Sequence, residues 1–122
     1  MKSIVVAIST SLLALSAFAS GAGNYQHHEG KPAETLEQAV TNFSEYNHKL
    51  EAILNGAVSD NDMHDVHELT YTLENALEKI NEELAELAET LEELHQASER
   101  MDREAVLEHG RKYLSVSREV VK

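Results

Sequence analysis

The chain has 122 residues, of which 42% are hydrophobic and only 5% aromatic, with no Trp, no Cys and a single Pro. Acidic residues outnumber basic ones 22 to 10, for a formal charge of −12. This is one small domain at most. Disulfides, thiolate chemistry and thiolate metal sites are excluded, and the acid excess disfavours nucleic acid and anionic lipid as partners.

The first 19 residues, MKSIVVAISTSLLALSAFA, place one Lys before an apolar run from Ile4 to Leu15 and close on Ala17-Phe18-Ala19. That order reads as a secretory signal peptide over 1–19 with a small-residue cleavage site. The run is too short and too interrupted by Ser and Thr for a membrane anchor. The expectation is a protein exported to the periplasm, with no membrane association after cleavage. Residues 20–31 lack periodicity and read as a flexible lead-in to a helical domain over 32–122.

Pro32 suits a first helical turn. Apolar residues then recur at three and four from Leu36 to Leu54, which predicts a helix over about 32–55 with Gly56 as its C′ residue. Ser59, with Asp62 three residues on, predicts the cap of a second helix. From Met63 through Val66, Thr70, Leu73 and Leu77 to Met101, apolar or small residues alternate steps of three and four. That is a heptad seam, and no Gly or Pro occurs from 57 to 109. A helix from Ser59 to about Ser98 would be roughly 60 Å long. The seam loses phase after Met101, so Asp102 is read as the cap of a third helix over about 102–121. Gly110 inside that helix costs about 1 kcal/mol relative to Ala, and close approach of a neighbouring helix would explain it.

Short connections make successive helices antiparallel. The expected fold is all-α, a three-helix antiparallel arrangement in which a long central helix carries two shorter companions end to end. The alternative is an up-down-up-down four-helix bundle made by a break near Asn81. Glutamates crowd the second half of the central helix, from Glu82 to Glu99, and Arg103, Arg111, Lys112, Arg118 and Lys122 lie on the third helix. Pairing between the two sets would relieve the repulsion.

Three segments, HHEGKPAETLEQAVTNFSEYNHKL (27–50), HELTYTLENALEKINEELAELAETLEELHQASE (67–99) and RKYLSVSREVV (111–121), resemble an uncharacterised family of small secreted gammaproteobacterial proteins, domain of unknown function 6746. The resemblance spans nearly the whole chain after the leader. It implies an all-helical domain behind a signal peptide, and assigns no catalytic residues. It also implies a Gly-Asp turn between the last two helices, where this chain has Arg100-Met101-Asp102.

Three chemistries can be weighed. A metal site would use His64 and His67, three apart on one helix face, with Asp60 and Glu68 beside them, and would suit zinc, nickel or copper. His27 and His28 in the lead-in, and His95 and His109 near the last turn, are further imidazoles. Haem ligation would need Met63 or Met101 to meet His48 or His109, and no spacing sets such a pair at one level. No nucleophile elbow or phosphate-binding loop is present, so the chain is read as non-enzymatic. The remaining reading is association. Two helices per level leave one side of the seam uncovered. Leu77, Ile80, Leu84, Leu87, Leu91 and Leu94 are then the candidate contact residues for a homo-oligomer or another helical protein. The opposing reading makes the same seam the monomer's own core.

Overall fold

A computed structural model describes residues 29–121. Residues 1–28, on which the expected signal peptide, most of the expected lead-in and His27 and His28 fall, lie outside the described residues. The described chain forms three helices, α1 (Leu36–Leu54), α2 (Asp60–Glu99) and α3 (Arg103–Val120). α2 is 40 residues long and runs through Asn81 without interruption, so the four-helix alternative with a break there is wrong. Nothing in the sequence near Asn81 removes a backbone hydrogen bond, and the helix continues. α1, of 19 residues, packs along its first half and α3, of 18, along its second. The long-central-helix arrangement is the fold.

The helix starts follow from local hydrogen bonds. The Ser59 hydroxyl accepts from the Asp62 amide at 3.3 Å, while the Asp62 carboxylate accepts from the Ser59 amide at 2.6 Å. This reciprocal capping satisfies two amides that the first helical turn leaves open. Asp102 accepts from the Ala105 amide at 3.1 Å and opens α3. α1 starts four residues later than Pro32 suggests. Thr35 takes the capping role, its hydroxyl accepting from the Gln38 amide at 3.2 Å, and the Gln38 side chain accepts from the Glu34 amide. Cap chemistry at Thr35 outweighs the mere compatibility of Pro32 with a first turn.

Both turns are tight. At the end of α2, the Met101 amide bonds the Ser98 carbonyl and the Asp102 amide bonds the Ala97 carbonyl, a Schellman closure with Met101 in the left-handed region at φ 57°. Met101 thus occupies the place where the family resemblance leads one to expect Gly. At the end of α1, Gly56 does not take the left-handed conformation. Its amide bonds the Ile53 carbonyl at 3.0 Å, and the positive φ of 49° falls on Val58 instead.

Glu29 to Lys31, read from sequence as the end of the lead-in, dock on α2. The Lys31 amide donates to the buried Thr72 hydroxyl at 2.9 Å, and the Asn75 side-chain amide donates to the Glu29 and Lys31 carbonyls at 2.9 and 3.0 Å. Gly30, at φ 70°, lies so close that a Cβ there would stand 2.7 Å from the Thr72 nitrogen. Here a glycine is required by both conformation and contact.

The core is thin. Leu36 and Ala39 of α1 meet Ala76 and Ile80 of α2, and Val116 and Val120 close the cluster where the end of α3 reaches the start of α1. Among the described residues α3 has none that is fully buried.

Candidate association face

The two edges of the α2 seam have different fates. Ile80 is in the core, Leu87 and Leu94 are half-buried, and Leu94 lies against Gly110 of α3. Leu77, Leu84 and Leu91 are 46%, 40% and 44% exposed. Of the six leucine and isoleucine positions read as contact residues, three therefore face the companion helices and three, seven residues apart, face outward. A heptad seam needs partners on both edges, and α1 and α3 both lie to one side.

Helical geometry gives the outward edge its chemistry. At about 100° per residue, Val66, Thr70, Asn81, Ala88 and His95 fall within about 40° of Leu77. Every carboxylate of α2 from Asp65 to Glu93 falls outside that strip, the nearest being Glu74 and Glu92 at about 60°. In a helix this acidic, a lengthwise strip with no carboxylate is a surface composed for contact rather than for water.

The companions extend the strip. α2 and α3 are right-handed and antiparallel. Turning from their line of contact towards higher residue numbers therefore reaches the same flank on both. On α3 that flank carries Leu107, Leu114 and Val121, all exposed and again seven apart. The same construction on α1 brings Glu37, Ser44 and Glu51 to this flank, while Phe43, packed against the core, and the half-buried Leu50 stay near the contact line and Leu54 is exposed beside them. The open face thus runs the length of the rod and is apolar across two helices along α3.

Its rims carry opposite charge. Beyond the apolar residues, α1 presents the exposed Glu37 and Glu51, and α3 presents the exposed Arg111 and Arg118. The pairing of α3 cations with α2 glutamates expected from composition does not form. Among the described residues no arginine comes within ion-pair distance of a carboxylate. The one ionisable contact between α2 and α3 is His109 Nδ1 with Glu93 at 3.2 Å. Arg111 and Arg118 point along the open flank instead of across the α2–α3 contact, which is why they miss Glu82 to Glu93. His95, which the spacing allowed to face His109, takes Glu99 at 3.3 Å.

The opposite flank is polar. A cavity of about 1010 Å³ there is bordered by Lys31, Lys49, Tyr46, Asp65, Glu68 and Thr72 among others. The Lys49 ammonium stands 4.1 Å from the Tyr46 ring centre and 2.8 Å from Glu45. That hydrogen bond from Lys49, helped by the charge of Lys31, holds the Glu45 carboxyl below the usual carboxylate range.

His64, Asp60 and Met63 border a small depression with His67 at the start of α2. His67 Nε2 meets the Tyr71 hydroxyl at 3.2 Å, with the two rings edge to face. Among the described residues no three His, Asp or Glu side chains converge to hold a metal ion, so the His64, His67, Asp60 and Glu68 set is not assembled. Spacings of three and four turn Asp60, His64, His67 and Glu68 to one side of α2, and Asp60, His64 and His67 border the same depression.

The chain matches the model of a family of unknown function, DUF6746, over residues 1–122, and belongs to that family. No curated protein and no solved structure matches it.

Proposed function

We propose that this chain is a non-enzymatic helical protein of the periplasm that works by association. Its open face packs against an amphipathic helix, supplied by another copy or by another helical protein. The observation that carries the reading is the row Leu77, Leu84 and Leu91, each at least 40% exposed, on a strip from which the carboxylates of α2 between Asp65 and Glu93 are missing. Export rests on the apolar run Ile4–Leu15 followed by Ala17-Phe18-Ala19. Among the described residues no helix is long and apolar enough to cross a membrane.

Substituting Leu84→Ser and Leu91→Ser together tests this. These side chains are half-exposed, so helicity by circular dichroism is expected to be retained. Self-association by light scattering, or capture of a defined periplasmic protein by the immobilised chain, is expected to be lost. A double variant that keeps its mass and its captured protein would overturn the reading.

A further inference from the structure

We infer that the open face is covered by a second copy of this chain running antiparallel, so that α1 of each copy lies against α3 of its partner. This rests on the association reading above and names its partner.

The first argument is geometric. α1 accompanies α2 from its start to Ile80, and α3 accompanies it from about Glu83 to its end. A twofold axis crossing the rod beside Ile80 and Asn81 exchanges these two halves. Leu77 then meets the partner's Leu84, and Thr70 meets the partner's Leu91. At every level the section becomes four helices, two long and two short, which is what a covered helical core needs. Near the axis the residues in contact are Asn81 and Ala88, which allow close approach.

Charge supplies the second argument. With the copies antiparallel, Glu51 comes level with the partner's Arg111. Among the described residues Arg111, like the other arginines, has no carboxylate within ion-pair distance. A parallel copy would set the acidic rim of α1 beside Glu74 and Glu78 of the partner's α2, with like charges adjacent. Glu29 and Lys31 do not compete for the face, since they are tied to Thr72 and Asn75 on the other flank of α2.

Size supplies the third argument. From Met63 to His95 the face is about 48 Å long at 1.5 Å per residue, and two helices make it about 20 Å wide. That is on the order of 900 Å² per copy, the area of a standard stable interface.

The test is charge reversal with rescue, read by sedimentation equilibrium on the purified chain. Glu51→Arg and Arg111→Glu are each expected to weaken dimerisation about fivefold, since each touches two rim pairs. Both reversals together are expected to restore the native constant, with helicity unchanged throughout. A dimer that the double variant fails to restore would overturn the antiparallel pairing and leave association through the face standing. A wild-type chain that stays monomeric would overturn the second copy as occupant. A dimer indifferent to Leu84→Asp would remove the association reading itself.

Discussion

Gly110 of α3 sits over Leu94 of α2, with the nearest Leu94 methyl 3.7 Å from where a glycine Cβ would stand. That is ordinary van der Waals distance. The close helix approach that would justify a glycine in mid-helix is therefore not present, and an added methyl group would extend the contact with Leu94. Gly110→Ala is expected to stabilise the fold by about 1 kcal/mol through helix propensity. The midpoint of thermal unfolding should rise by about 4–8 °C, as for domains of this size. A fall would mean that the two helices approach more closely than this.

The two left-handed residues at the helix junctions hold strain that glycine would relieve. Met101 adopts φ 57° and Val58 φ 49°. The left-handed region costs an L side chain about 1–2 kcal/mol. Glycine also gains freedom in the unfolded chain, so Met101→Gly is expected to stabilise by about 1 kcal/mol net. Val58 is β-branched and should gain at least as much on substitution by Gly or Asn. Urea midpoints of the two single variants against the parent check both.

How much of this was legible in the sequence depends on how local each cause is. The steps of three and four from Met63 to Met101, unbroken by Gly or Pro, were enough for a continuous α2, and Ser59 and Asp102 announced the caps beside them. The start of α1 was legible too, in Thr35 and Gln38, but Pro32 carried the louder signal. The docking of Glu29 to Lys31 was not legible, because its partners Thr72 and Asn75 are more than forty residues away and bind backbone atoms, leaving no side-chain pattern. The heptad marked both edges of the seam equally, and only the positions of α1 and α3 decided that Ile80 is buried and Leu84 is not. Asn81, Ala88 and His95, standing where glutamates would otherwise fall, were the readable sign of the open edge. The α3 arginines were misjudged because composition counts charges without saying which flank of a helix bears them.

The capping of α2 gives stability a defined pH dependence. Hydrogen bonds from the Ser59 hydroxyl and then the Ser59 amide hold the Asp62 carboxyl below the usual aspartate range. A group whose pKa is lower folded than unfolded contributes stability that is fully present above its unfolded value. That contribution is lost as pH falls through the folded value. Denaturant unfolding between pH 2 and 6 is therefore expected to show a larger acid-side loss for the parent than for Asp62→Asn. Identical profiles would remove Asp62 as a contributor.

Docking of the lead-in should depend on Thr72. Thr72→Val keeps the shape but leaves the Lys31 amide without its acceptor, at a cost of about 1–2 kcal/mol. Gly30→Ala would drive a methyl group towards the Thr72 nitrogen, and should release the segment from α2 outright. Hydrogen exchange at the Lys31 amide is expected to accelerate in both variants while amides in the middle of α2 stay protected. Unchanged protection at Lys31 would show that the segment is held by other contacts.

The claim on which the account turns is that the row Leu77, Leu84 and Leu91 is covered in solution by a second copy. Sedimentation equilibrium of the purified chain over a hundredfold range of concentration tests it most directly. The expected result is a particle of twice the chain mass that Leu84→Asp reduces to one chain with its helicity intact. A single-chain mass at every concentration, unaltered by that substitution, would contradict it.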